Sequence, residues 1–190
     1  MKERKVNIAI IGAGTAGITA FHALKAAGKD VVLIDRGPLG TTCARVGCMP
    51  SKAALHAGMR WTTAKELPAG VTLSAQGPQA LWRHTRQTRD ALAGAAAERT
   101  RKAVGENLIM AEARFVAPGT LEVGDQRIEA KAFIVATGSH PVVPKSLDGA
   151  ASHILTTDTL FEQKELPQRL GILGLGAIGL ELGLALSRLD

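Results

Sequence analysis

The chain has 190 residues, 46% of them hydrophobic and 21% charged, with 21 Gly, two Cys and a formal net charge of +6. This is the composition of a globular protein of one domain or slightly more, and with 3% aromatic residues and no Tyr its core must be aliphatic. It leaves no room for a membrane span of ~20 apolar residues, a disulfide framework or a four-cysteine zinc site.

The basic start, residues 1–5, resembles that of a signal peptide, but the apolar run at 6–11 is short and meets Gly12 at once. No export signal is expected, and the chain reads as cytoplasmic. Residues 6–11 (VNIAII) read as a buried strand, 15–27 as a helix ended by Gly28, and 31–34 (VVLI) as a second buried strand. Strand, helix and strand in about 30 residues form a βαβ unit with a parallel sheet. Residues 36–47 read as a loop, 51–64 as a helix, 67–78 as a connection and 79–104 as a long Ala/Arg-rich helix. The basic stretch inside that helix, from Arg83 to Lys102, has no nucleic-acid motif beside it and reads as a solvated face. Residues 108–116 are extended. Turn signals around 121–123, with 127–130 beyond, suggest a small antiparallel meander. Residues 133–136 (FIVA) are another buried strand, Pro141, Pro144 and Gly149 mark a boundary, 170–173 are a strand and 177–189 a helix. A βαβ unit half built at residue 190 implies a fragment of a longer protein.

Three signals carry chemistry. Gly12-Ala13-Gly14-Thr15-Ala16-Gly17 lies between strand and helix, where glycines allow a tight turn, close backbone approach to a pyrophosphate and close helix packing. The helix N-terminus offers free N–H groups and positive dipole. Asp35 ends the next strand and could bind an adenosine ribose; its alternative is a turn-forming Asp. Gly174-Leu175-Gly176-Ala177-Ile178-Gly179 repeats the device, so the chain is expected to serve two dinucleotides, a flavin and a nicotinamide. The third signal is Cys43-Ala44-Arg45-Val46-Gly47-Cys48. Residues five apart in an ideal helix lie roughly 8.7 Å apart at Cα, beyond the ~7 Å a disulfide allows. Bonding therefore needs irregular backbone, which Gly47 and Pro50 would supply. A redox pair is one reading; two unreactive buried thiols or half of a metal site are the others, although no second ligand pair stands nearby.

At these residues the chain resembles a known family. The run from Gly40 through Thr42, Cys43, Cys48, Pro50 and Ser51 to Lys52 is similar to the active-site signature of the pyridine nucleotide-disulfide oxidoreductases. Ala136-Thr137-Gly138-Ser139 resembles their ATG motif, and residues 174–183 the entry to their nicotinamide domain. Pro50-Ser51-Lys52, Glu181 and Ala177 place the likeness nearest the dihydrolipoamide dehydrogenases, with mercuric reductases close by. The resemblance implies an α/β fold. Its FAD-binding domain would be Rossmann-like, a parallel sheet with helices and a β-meander crossover, over residues 1–145. Residues 146–190 would be a linker and the first strand and helix of an NAD(P)-binding domain.

The resemblance also implies roles. Cys43 would exchange with a small dithiol or disulfide substrate, a lipoyl group that a carrier domain could present. Cys48 would be the charge-transfer thiol against the flavin. Lys52 would lie near the flavin and pair with Glu181. Gly12, Gly14, Thr15, Ala16, Gly17, Asp35, Arg36, Thr42, Ala113, Ala136, Thr137 and Gly138 would hold FAD, and Gly174, Gly176 and Gly179 would hold NAD or NADP. No metal or nucleic-acid partner is expected, and the full-length protein would be a homodimer. The 190 residues alone would bind FAD without turnover. Thr41, where Gly is common, and Ala44-Arg45, where Leu-Asn is common, depart from the signature. His22, His56, His84, His140 and His153 match no catalytic position of the family.

Overall fold

The computed structural model describes residues 1–66 and 77–189, so the connection read at 67–78 falls largely outside the described residues. The chain forms two compact units: Met1–Thr42 with Ala93–Ser139, and Cys43–Leu92 with His140–Asp190.

The first unit is a mixed α/β fold around one six-stranded sheet. Its strands are β1 (Lys2–Ile11), β2 (Val31–Asp35), β3 (Leu108–Met110), β4 (Ala113–Ala117), β5 (Thr120–Val123) and β6 (Gln126–Val135), in the order β3-β2-β1-β6-β5-β4. β3, β2, β1 and β6 run parallel, while β6, β5 and β4 form the antiparallel meander. Val31, Val32, Leu33 and Ile34 are all fully buried, because β2 is central and its alternate side chains enter different cores. Val31 and Leu33 pack with Phe21 of helix α1 (Thr15–Ala26) and with Ala97 and Val104. Val32 and Ile34 pack with Leu121, Val123 and Ile128 of the meander. Each such side chain contributes about 1.5–3 kcal/mol of apolar burial. α1 ends as expected at Gly28, whose N–H donates to Lys25 O while that of Lys29 donates to Leu24 O, the paired bonds of a Schellman cap.

The second unit is helical. Helix α2 (Thr41–Arg45) leads into α3 (Cys48–Lys65), and α4 (Pro78–Val104) continues from this unit into the first. A 3₁₀ segment (Lys145–His153), α5 (Thr157–Leu160) and α6 (Ala177–Ser187) complete it. Its core joins Ala54, Ala57, Trp82, Leu160, Phe161, Leu182 and Ala185.

Several expectations need correction. The loop read at 36–47 contains α2. The extended run at 108–116 is two strands, broken at Ala111-Glu112. The segments at 127–130 and 133–136 are one strand, β6, because β1 pairs with it from Lys2↔Gln126 to Ile11↔Val135 and carries it through its polar middle. α5 and the 3₁₀ segment follow the expected boundary at Pro144. Residues 170–173 are not a strand: among the described residues no strand pairs with them, and Leu170, Ile172 and Leu173 are exposed. Nor is the basic stretch of α4 wholly a solvated face, since Arg89 is buried. Its Nη1 donates to Glu162 Oε1 at 2.5 Å and its Nη2 to Phe161 O at 3.1 Å, while Arg86 Nε donates to the same carbonyl at 3.1 Å. Arg89 Nε lies 2.7 Å from Asp90 Oδ1, close enough for ionic attraction but not aligned as a hydrogen bond. Beside them Trp82 stacks on Phe161 and its indole N–H donates to Gln163 O at 2.9 Å. These bonds satisfy carbonyls at the end of α5.

Candidate active site and phosphate-binding turns

The first glycine turn is built by β1 and α1. Gly12 has φ +107°, and a Cβ there would stand 2.2 Å from Ala136 O and 2.6 Å from Ala136 C. A Cβ on Gly17 would stand 1.8 Å from Gly12 O. Backbone therefore fills the space of both side chains, as a tight turn with a closely docked helix requires. Gly14 is the N-cap of α1, has no side-chain capping bond and faces open space. Thr15 and Ala16 begin the helix and are exposed, leaving N–H groups of the first turn available to an anion.

Asp35 does not stand free at the end of β2. Its Oδ2 accepts the Ala13 N–H at 2.5 Å and its Oδ1 the Gly37 N–H at 2.6 Å. The carboxylate thus ties the glycine turn to the loop after β2, the turn-forming part that is the alternative reading of Asp35. A ribose would use its remaining lone pairs. Arg36 is exposed, 3.9 Å from Glu112. Ala113 opens β4 opposite Val123. Ala136 extends β6, its N–H donating to Ile11 O at 2.8 Å, and Thr137 and Gly138 follow it exposed.

The second glycine turn, in the other unit, has almost the same backbone. Gly174 has φ +105°, and a Cβ on Gly179 would stand 2.1 Å from Gly174 O. Gly176 caps α6 at φ −73°, ψ 178°, against φ −73°, ψ −176° for Gly14. The Leu180 N–H donates to Gly176 O at 3.0 Å, as that of Ile18 does to Gly14 O at 3.0 Å. One difference matters: a Cβ on Gly174 would meet nothing within 4 Å, whereas at Gly12 it meets the neighbouring strand.

The cysteines lie on either side of a helix break. Cys43 is in α2, Cys48 is the first residue of α3, and Gly47 between them has φ −117°, ψ −124°. The irregular backbone expected at Gly47 is present. Pro50 plays a different part: it sits in the first turn of α3, where its missing N–H leaves no intrahelical bond unmade. Thr41, in place of a common Gly, has φ +61°, a left-handed conformation unfavourable for a β-branched residue. Thr42 is exposed beside it. Both cysteines are free thiols, Cys43 partly buried and Cys48 exposed. A hydrogen bond with Cys48, and then burial, push the Cys43 thiol up from its ordinary value.

One turn along α3, Lys52 Nζ donates to both carboxylate oxygens of Glu181, at 2.6 and 2.8 Å. The pair depends on how closely α3 meets α6. A Cβ on Gly58 would stand 2.7 Å from Ala185 O and 2.9 Å from Arg188 Cβ, and Ala54 and Ala185 are fully buried. Small residues thus let the helices touch where Lys52 can reach across. Such a solvent-accessible pair adds little stability, so its importance is the placement of charge. The hydrogen bond from Lys52, and next one from the Ser51 hydroxyl, hold the Glu181 carboxyl below its usual range. Ser51 stood in the family signature with no role of its own. Its signal is a Ser three residues after Cys48, in reach of that residue's carbonyl, at Oγ···O 3.1 Å.

The chain thus carries two glycine turns of dinucleotide-binding form and two free cysteines on either side of a helix break. The profile of the pyridine nucleotide-disulphide oxidoreductase family matches residues 6–190, and the chain belongs to that family. It is 34% identical to a mercuric reductase of Staphylococcus aureus over 185 residues, 96% of this chain and 34% of that protein. It is also 34% identical to a dihydrolipoyl dehydrogenase of Vibrio cholerae over 193 residues, 95% of this chain and 40% of that one. The solved Cu(II) complex of the HOCl-induced flavoprotein disulfide reductase RclA from Escherichia coli superposes with a TM-score of 0.74 at 26% identity, covering 98% of this chain and 41% of that one. The chain thus spans well under half the length of these relatives. Among the described residues no helix is long and apolar enough to cross a membrane.

Proposed function

We propose that this polypeptide is the flavin- and dithiol-bearing part of a dihydrolipoamide dehydrogenase-like oxidoreductase, with residues 1–145 serving FAD and 146–190 entering an NAD(P)-binding part. The observation that carries the reading is the thiol pair Cys43/Cys48 across a helix break, with Lys52 and Glu181 paired one turn further on. The uncapped N-terminus of α1, the open face of Gly14 and the Asp35 carboxylate fit the pyrophosphate and ribose of FAD. Gly174, Gly176 and Gly179 fit a nicotinamide dinucleotide in the same way.

Bound FAD would supply two-electron transfer between the protein dithiol and the nicotinamide. The residues' own part is thiol–disulfide exchange. A substrate thiolate attacks Cys43 of the Cys43–Cys48 disulfide, the S–S bond breaks, and Cys48 leaves as thiolate. The second substrate thiol then displaces Cys43, giving substrate disulfide and protein dithiol. Over a full cycle, substrate dithiol and NAD⁺ become substrate disulfide, NADH and H⁺. Lys52, held by Glu181, would place positive charge where the cofactor gains electrons. Mercuric-ion reduction is the second reading: the Staphylococcus aureus mercuric reductase is as similar as the dehydrogenase, and two adjacent thiols suit a soft metal substrate.

Assays of the whole protein with dihydrolipoamide and NAD⁺, and with Hg(II) and NADPH, separate the readings. Dihydrolipoamide-dependent NADH formation is expected. Hg(II)-dependent NADPH oxidation without lipoamide turnover would replace it with the second reading.

A further inference from the structure

Helix α4 carries Gln79, Trp82, Arg86 and Arg89 on one face, at steps of three, four and three residues. All four side chains reach the backbone of residues 161–166. Gln79 bonds Leu166 twice: its Nε2 donates to Leu166 O at 3.2 Å and its Oε1 accepts the Leu166 N–H at 3.0 Å. The Trp82 indole N–H donates to Gln163 O at 2.9 Å, and Arg86 Nε and Arg89 Nη2 share Phe161 O, each at 3.1 Å. Residue numbers rise along α4 as they fall along the segment, so the row of side chains takes the place of an antiparallel neighbour. Because the atoms it meets are main-chain atoms, the row fixes the path of the segment whatever side chains the segment carries.

From Leu166 the chain runs on to the second glycine turn at Gly174. Among the described residues no strand pairs with 170–173, so side chains hold this approach at its two ends. At the far end Ile172 rests on α6: its Cδ1 lies 3.1 Å from where a Cβ on Gly183 would stand, and its Cγ2 3.4 Å from where one on Gly179 would stand. At the near end the anchor is the row on α4. We propose that Gln79, Trp82, Arg86 and Arg89 are positioning residues, which hold the approach to Gly174 so that the turn at 174–179 keeps the shape that receives a dinucleotide pyrophosphate. The functional part rests on the reading of that turn as a nicotinamide dinucleotide site; the anchoring of the segment does not.

The double variant Gln79→Leu/Arg86→Met removes three of the five bonds to this backbone and leaves the buried Trp82 and Arg89 in place. Arg83→Met, at an exposed position of the same helix outside the row, is the control. In the whole protein the measurements are the dissociation constants of NADH and NADPH, the rate of flavin reduction by a dithiol, and amide hydrogen exchange over residues 161–180. The double variant is expected to bind its preferred dinucleotide roughly fivefold more weakly, the scale of one net hydrogen bond. Exchange at 172–178 should quicken by a similar factor, and flavin reduction by the dithiol should not change, since that step does not use the second turn. Arg83→Met should leave all three as they are. Unchanged dinucleotide affinity in a folded double variant would overturn the proposal, as would an equal loss in Arg83→Met or a parallel loss of flavin reduction. If the double variant does not fold, Gln79→Leu alone, at an exposed residue, decides by the same measurements. If the unaltered protein binds neither dinucleotide, the site reading fails by itself and the exchange rates decide: faster exchange at 172–178 sustains the anchor, and unchanged exchange overturns it.

Discussion

Replacing Cys48 by Ser is expected to abolish the long-wavelength absorbance that a thiolate beside oxidised flavin gives in the two-electron-reduced protein, while Cys43→Ser retains it. The asymmetry follows from the pair's geometry. Cys43 lies partly buried in α2, and a hydrogen bond with Cys48, then burial, raise its thiol above the ordinary value. Cys48 opens α3, at an end with no side-chain cap, where the helix dipole and free N–H groups favour negative charge. Turnover should fall by roughly three orders of magnitude or more in either variant, because each thiol is needed for the exchange. A band of equal strength in both variants would show that the roles are not divided in this way.

The second large effect concerns the first glycine turn. Gly12→Ala is expected to lower stability by at least ~3 kcal/mol, from a steric clash of the overpacking kind added to left-handed strain. The new Cβ would meet Ala136 O at 2.2 Å, a backbone atom with no flexible end to move. For a chain of this length that corresponds to a fall in Tm of roughly 6–12 °C, with loss of FAD. Gly174→Ala is the internal control. Its φ is nearly the same, but its surroundings are open, so only the conformational strain of roughly 1–2 kcal/mol should appear. Thermal unfolding of the two variants checks this, and equal losses would contradict the strand-contact explanation.

What the sequence made legible was what short-range physics decides. The turn Gly12–Gly17 could be read because its tightness, its helix cap and its strand are all set within a few residues. β2 could be read because Val31-Val32-Leu33-Ile34 is apolar on both faces. The helix break between the cysteines followed from a distance argument and a glycine. What escaped depends on partners far along the chain. Glu129, Ala130 and Lys131 have weak strand preferences, yet β6 runs through them because β1 lies alongside. Residues 170–173 form a short apolar run with Leu170, Ile172 and Leu173, yet among the described residues no strand forms there, since a ladder needs a neighbour. Arg89 looks like any other arginine of α4 until Glu162 and Phe161, more than seventy residues on, enclose it. The Lys52–Glu181 pair spans 129 positions, so family resemblance suggested it where spacing could not.

The central claim is that Cys43 and Cys48 form one reversible dithiol–disulfide couple. Counting alkylatable thiols in the whole polypeptide, with peptide mapping before and after mild oxidation, addresses it directly. The two cysteines of the sequence should both react in the reduced protein. After oxidation neither should, with a single intramolecular Cys43–Cys48 cross-link that a dithiol reductant reverses. Two thiols that still react after oxidation, or cross-links only between separate molecules, would contradict the account.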